Sequence, residues 1–225
     1  SHHQLLQPGR LDRSGQRLTV TMTGTLTIKR ITGRDGDLES YLEDLAQLRI
    51  KVFRAFPYLY DGSIDYEMSY LETYTACPES IVVLVMDGEQ VVGATTGLPL
   101  DAETAEFQKP FIDAGHDASR IFYCAESVLL PEYRGRGVYP KFFEEREGHA
   151  RSIGRFDTCA FCCVERPQNH PLRPADYVPL DNIWSRFGYT KHPELRTSYS
   201  WKDVDETQES EKPMVFWLKA LRSAL

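Results

Sequence analysis

One short segment, Arg134-Gly135-Arg136-Gly137, constrains this chain more than any other feature. It follows an apolar run from Ile121 to Leu130 that reads as a central strand. It precedes a stretch from about Val138 to Ile153 in which Val138, Phe142, His149, Ala150 and Ile153 roughly keep helical spacing. A strand that enters a helix through two glycines brings unpartnered helix amides to the end of a buried strand. Glycine lets the backbone turn tightly and approach a ligand closely, and Arg134 and Arg136 add charge-assisted donors. The junction therefore reads as an anion cradle, with a plain glycine-rich turn carrying two surface arginines as the alternative. It is not a dinucleotide fingerprint, which needs Gly-x-Gly-x-x-Gly, and it lacks the Gly-Lys-Ser/Thr of a P-loop. Pro140 is compatible with the helix because it falls in the first turn, where no backbone donor is required.

The remaining pattern alternates between the two regular periods. Leu26 to Ile31 reads as a strand. Asp37 is a candidate cap for a helix carrying Leu38, Tyr41, Leu42, Leu45 and Leu48, and residues 65–74 form a second short helix. Ile81 to Met86 is an almost continuous apolar strand, turned at Asp87-Gly88 into a return strand from Gln90 to Thr96. Residues 101–113 are weakly helical. Thr158 to Val164 is a strand, the proline-bearing stretch 165–180 a long loop, and Leu180 to Phe187 a short helix closed by Gly188. Leu195 to Trp201 and Met214 to Leu218 are the last strands, joined by the acidic linker 203–211. This is mixed α/β in one domain over residues 25–225. Residues 1–24 read as a purification-tag remnant, Ser1-His2-His3, and a loose arm.

Composition narrows the function. The 26 Lys and Arg stand against 33 Asp and Glu, a formal charge of -7, which disfavours a nucleic-acid binder that relies on neutralising phosphates. No stretch of 18 apolar residues offers a membrane span. The 5 cysteines are an odd number without a disulfide spacing, which suits a reducing, cytoplasmic setting. Cys159, Cys162 and Cys163 lie on one predicted strand that scatters them to both faces, and the histidines are dispersed, so no metal site is expected.

The strand–glycine–helix unit resembles that of the GCN5-related N-acetyltransferase family, whose signature Gln/Arg-x-x-Gly-x-Gly/Ala maps onto Arg134, Gly137 and Tyr139. The approach Val128-Leu129-Leu130-Pro131-Glu132-Tyr133 is similar to the family's, and Trp184-Ser185-Arg186-Phe187-Gly188-Tyr189 resembles its Tyr-x-x-x-Gly-Phe/Tyr helix ending. In element order the resemblance covers residues 25 to 221. It implies a mixed, mostly antiparallel central sheet flanked by helices, the acyl-CoA N-acyltransferase-like fold. It also implies acetyl-CoA as cofactor: Val128, Leu129 and Leu130 along the pantetheine arm, Arg134, Gly135, Arg136, Gly137, Val138 and Tyr139 at the pyrophosphate, and Trp184 beside the cofactor. Two positions depart from the family. Tyr139 replaces a small residue, and Trp184 stands where a tyrosine is usual.

The reaction so implied moves an acetyl group from acetyl-CoA to a primary amine by direct attack, which needs a base, an oxyanion donor and a good leaving group. Glu126, within Tyr123-Cys124-Ala125-Glu126-Ser127-Val128, is the candidate base, since partial burial would raise its carboxyl; the alternative is a structural carboxylate paired with an arginine. The Val128 amide, give or take one residue, is the candidate donor to the carbonyl oxygen. An indole cannot protonate a thiolate, so the acid is Tyr189 or Tyr139, or the thiolate leaves unaided, or the enzyme is degenerate. Phe56, Tyr58, Tyr60 and Asp61, with Glu126, are the candidate acceptor site, holding a cationic amine by ring and carboxylate interactions. Arg166, Asn169, His170 and Arg173 in the long loop face the acceptor, the cofactor or a second subunit. The leading function is an N-acetyltransferase for a small-molecule amine, and the resemblance admits a homodimer, common in the family. The alternatives are a catalytically weak acyl-CoA-binding or regulatory domain, and a protein or peptide acetyltransferase.

Overall fold

The structure, a computed structural model, describes residues 18–20 and 26–221. Strands β1 (Leu18–Val20), β2 (Leu26–Thr32), β3 (Ile81–Asp87), β4 (Gln90–Pro99), β5 (Ile121–Leu129), β6 (Thr158–Val164), β7 (Thr190–Trp201) and β8 (Ser210–Ala220) form one sheet. Their order is β1-β2-β3-β4-β5-β6-β8-β7. Every neighbouring pair is antiparallel except β5 with β6, which is parallel. The helices are α1 (Leu42–Phe53), α2 (Ile64–Thr75), α3 (Ala105–Asp113), α4 (Val138–Ile153) and α5 (Asp181–Arg186).

Helices cover both faces of the sheet, which is why β3 reads as an unbroken apolar run with Ile81 through Met86 buried. Thr96 and Glu126, opposite one another on β4 and β5, face α1 and α2: the Thr96 and Tyr74 hydroxyls lie 3.1 Å apart, within hydrogen-bond distance. Phe122 faces the other way and meets His149 of α4 at 5.6 Å between ring centroids. The apolar side of α1, Leu42, Leu45, Ala46 and Leu48, is buried against the sheet, and Arg49 is buried with it.

Three elements differ from the sequence-based expectation. Part of the arm is a strand: β1 pairs antiparallel with β2, Leu18 opposite Lys29; the rest of residues 1–24 lies outside the described residues. The first helix begins with a 3₁₀ turn over Leu38–Tyr41 and becomes α-helical at Leu42. Strand β7 starts at Thr190 rather than Leu195. It is the sheet's last strand, with many exposed positions on both faces, so it carries little of the alternation that marks a half-buried strand. Among the described residues no helix is long and apolar enough to cross a membrane.

One buried contact ties α4 to the turn before β3. His149 Nε2 lies 2.7 Å from the Glu79 carbonyl, an arrangement in which neutral imidazole donates. Burial pushes the His149 pKa down from its ordinary 6.5. The unfolded chain then binds the proton more readily, so this contact's stabilisation is present above about pH 6.5 and is lost as the pH falls below it. Thermal unfolding between pH 8 and 5 should show the wild type losing its stability advantage over His149→Gln as the solution is acidified.

Candidate active site

The site is created by an incomplete strand pairing. β5 and β6 are paired only at Ile121–Thr158, Phe122–Cys159 and Tyr123–Ala160. Beyond Tyr123 the strands separate, and a cavity of about 450 Å³ opens in the gap. Its lining comes from both faces of the sheet: Arg49, Glu67 and Tyr70 from α1 and α2, and Tyr139, Phe143 and Arg146 from α4. The cavity therefore passes through the sheet. On the β6 side Phe161 packs edge-on against Trp184 at 5.0 Å and flat against Trp217 at 6.2 Å.

The separation leaves one edge of β5 without a partner strand beyond Tyr123, and hydrogen bonding shows which amides it presents. The Leu130 amide donates to the Val92 carbonyl at 2.9 Å. Alternation along an antiparallel ladder then directs the Val128 and Glu126 amides towards β4, and those of Leu129 and Ser127 towards the cavity. This narrows one expectation and corrects another. The Val128 amide is engaged with β4, so the donor available to a carbonyl oxygen is one residue away. The Leu130 amide is likewise unavailable to a pantetheine arm.

At the end of β5, Pro131–Tyr133 makes a single 3₁₀ turn, and the Tyr133 hydroxyl donates to Asp87 Oδ2 at 2.6 Å. Gly135 and Gly137 follow with φ of 74° and 78°, a left-handed conformation that L side chains resist. Gly137 is the N-cap of α4 and offers no side chain to the helix amides. Among the described residues, the amides of Gly135 through Tyr139 donate to no backbone or side-chain acceptor. Arg134 and Arg136 are exposed beside them, with Arg136 lying over the Tyr133 ring at 5.1 Å. Val138 is buried and can contribute only its backbone.

The two departures from the family pattern touch one another. Trp184 Nε1 donates to the Tyr139 hydroxyl oxygen at 2.9 Å, and both residues line the cavity. Because Tyr139 accepts this bond, its own proton is free to be given elsewhere. Burial raises the Tyr139 pKa, with the indole bond opposing in part, so the phenol stays protonated near neutrality. Tyr189 is placed differently. It is buried among Phe143 and Phe161, does not line the cavity, and has a hydroxyl with no hydrogen-bond partner. The expectation that Tyr189 could serve as the acid fails on that packing.

Glu126 does line the cavity, on the α1/α2 side. Arg49 lies between two carboxylates, its Nε on Glu67 Oε2 and its Nη1 on Glu126 Oε2. The Thr96 hydroxyl donates to Glu126 Oε1 at 3.2 Å, and the Tyr60 hydroxyl donates to Glu67 Oε1 at 2.8 Å. Glu126 is expected to act as a base from the family resemblance and from its partial burial, with pairing to an arginine as the alternative; the structure shows that pairing, with Arg49. Neither Arg49 nor Glu67 was singled out as its partner from sequence, because the chain's 26 basic residues give no sign of which one is folded inward. Glu103, also missed, lines the same cavity without an ion pair among the described residues, and burial raises its carboxyl above the ordinary range.

The candidate acceptor residues divide. Tyr58 and Tyr60 line the cavity, joined by Tyr66, Tyr70, Tyr123, Tyr199 and Trp201. Phe56 does not: it packs edge-on against Tyr177 at 4.8 Å, under the long loop. Asp61 is also outside, bound on the surface to Lys202 at 2.6 Å and Arg54 at 3.3 Å, and those cations hold its carboxyl below the usual range. Arg166 is structural. Its guanidinium makes two 2.8 Å bonds to Asp203 and donates to the carbonyls of Pro57 and Tyr58 at 2.7 and 2.8 Å. Arg166→Ala should cost about 3 kcal/mol in denaturant unfolding, since it removes the bidentate partner of the buried Asp203 carboxylate and the donor to the Pro57 carbonyl, while Trp201 still serves the Tyr58 carbonyl.

No family model and no curated protein matches this chain. Solved structures do. Arabidopsis thaliana NAA60 in complex with acetyl-CoA aligns at a TM-score of 0.56 and 13% identity, over 88% of this chain and 99% of that one. The structure of yncA, a putative acetyltransferase from Salmonella typhimurium with its cofactor acetyl-CoA, aligns at 0.55 and 10%, over 89% and 96%. An N-acetyltransferase from Staphylococcus aureus Mu50 aligns at 0.55 and 11%, over 88% and 99%. The chain has the acyl-CoA N-acyltransferase fold of the GCN5-related N-acetyltransferases, a mixed and mostly antiparallel sheet flanked by helices.

The contact between Tyr139 and Trp184 is testable without substrate. A double-mutant cycle of Tyr139→Phe and Trp184→Phe should give a coupling energy of about 1 kcal/mol in denaturant unfolding. Additive single-mutant effects would remove the bond from the account.

Proposed function

We propose that this protein is an acyl-CoA-dependent N-acyltransferase that uses acetyl-CoA and a small-molecule primary amine. The observation that carries the reading is the through-sheet cavity at the parting of β5 and β6, with unpartnered amides along one edge and at the start of α4. A membership in the GCN5-related N-acetyltransferase family, which the fold and both sequence motifs support, is part of the same proposal.

The residues present fit the cofactor. The amides of Gly135 to Tyr139 and the side chains of Arg134 and Arg136 would hold its diphosphate, and the free edge of β5 at Ser127 and Leu129 would pair with the extended arm. When bound, acetyl-CoA supplies the activated acyl carbon and a sulfur leaving group. The Leu129 or Ser127 amide stabilises the negative charge that develops on the carbonyl oxygen. Glu126 takes the amine's proton, directly or through water, from the α1/α2 side, where Arg49 and Thr96 fix its carboxylate. Tyr139 gives its proton to the departing sulfur from the α4 side and is held in place by Trp184.

The acceptor side is walled by aromatic rings and carries Glu103, which has no ion pair among the described residues, a surface suited to an organic ammonium. A cavity volume of about 450 Å³ is of the size that takes a small molecule. Glu126→Gln should lower kcat by 10²-fold or more while the Kd for acetyl-CoA, read by calorimetry, stays within about twofold. A variant as fast as wild type on a turned-over amine would take Glu126 out of the mechanism, and failure of the folded wild type to bind CoA or any of its thioesters would end the transferase reading.

A further inference from the structure

Among the described residues, one cation in the cavity has no carboxylate partner. Arg146, on α4, is only 3% exposed, and it lines the cavity. Its Nε has no hydrogen-bond partner, and its Nη1 reaches only the Glu126 carbonyl, at 3.4 Å. No carboxylate forms an ion pair with it among the described residues. Its neighbour Glu147 is taken by Lys219 at 2.5 Å and by Arg151 at 3.7 Å. The other inward-facing arginines are matched: Arg49 binds Glu67 and Glu126, and Arg166 binds Asp203. A buried guanidinium without an anion is costly, and a carboxylate delivered by a ligand would relieve that cost.

Position says which ligand. Arg146 approaches the Glu126 carbonyl from the α4 side, the side of Tyr139 and Trp184, whereas the Glu126 carboxylate points the opposite way, to Arg49. The charge therefore lies beside the residues of β5 that would meet the acyl carbon, on the donor side of the sheet. We infer that Arg146 is a carboxylate-binding residue for the acyl group itself, and that the preferred donor is a CoA thioester of a short dicarboxylic acid, such as succinyl-CoA, rather than acetyl-CoA. This rests on the N-acyltransferase reading and refines its donor. In the step the amine nitrogen bonds to the acyl carbon as the carbon–sulfur bond breaks. The amine's proton goes to the base, coenzyme A leaves as the thiol with a proton from the acid, and the distal carboxylate is unchanged. No further reactant is consumed.

Calorimetric titration of the full chain with succinyl-CoA, acetyl-CoA and CoA needs no acceptor and tests the inference directly. In the wild type, succinyl-CoA should bind at least tenfold more tightly than acetyl-CoA. In Arg146→Met, which keeps the volume and removes the charge, that ratio should fall to within about twofold of one, and Arg146→Lys should restore part of it. Arg146→Gln takes the place of the methionine variant if the latter does not fold. A wild-type ratio near one, or a ratio that survives loss of the guanidinium, overturns the inference and leaves acetyl transfer standing. Equal weakening of both thioesters in Arg146→Met also overturns it, since it would assign Arg146 to the shared arm of the cofactor. If neither thioester nor CoA binds the folded wild type, the transferase reading falls and the inference with it.

Discussion

The molecule depends on a hydrogen-bonded ladder that stops early. A parallel pair that continued past Tyr123 and Ala160 would satisfy the β5 edge and close the sheet, leaving two separate helical layers with no passage between them. Because the pair ends there, the same strand does three things. It anchors to β4 on one edge, exposes the Leu129 and Ser127 amides on the other, and delivers Glu126 to one face. The α4 N-terminus, reached through two left-handed glycines, stands at the end of that strand. Loss of ladder hydrogen bonds is tolerable only where another polar group can take them up, and a cofactor with an extended amide-bearing arm is such a group.

Charge is distributed unevenly across the passage. On the α1/α2 side two carboxylates share Arg49, and Glu103 has no ion pair among the described residues. On the α4 side Arg146 has no carboxylate partner among the described residues. The passage is thus polarised through the sheet, with the unmatched negative group where an amine would enter and the unmatched positive group where an acyl donor would lie. Burying an unmatched charge stabilises nothing by itself, so their retention at a cavity wall is best understood through the ligands they would meet.

Much of the fold was legible in the chain. The apolar run of β3, the hairpin at Asp87-Gly88, the strand–glycine–helix junction and the closing Gly188 all carry local signals, and they lie where the periodicity placed them. The edge strand β7 was only half visible because exposure on both faces erases its alternation. The candidate site was less legible. Phe56, Asp61 and Tyr189 have suitable side chains in suitable segments, yet Phe56 is occupied by Tyr177, Asp61 by Lys202, and Tyr189 is sealed in the core. Tyr139 and Trp184, which looked like two unrelated departures, form one hydrogen-bonded pair across 45 residues of chain.

The sequence by itself determined the order of strands and helices, the glycine junction at Gly135 and Gly137, and the chemical types available near it. Those are local properties, set by side-chain period and by the backbone freedom of glycine. Only the tertiary structure decided that β5 and β6 part after Tyr123, that Val128 turns its amide away from the cavity, and which charges are paired. Arg49 meets Glu67 and Glu126 while Arg146 meets no carboxylate among the described residues. Pairing is a matter of distance between residues far apart in the chain, and no local pattern encodes which buried charge will find a partner and which will wait for a ligand.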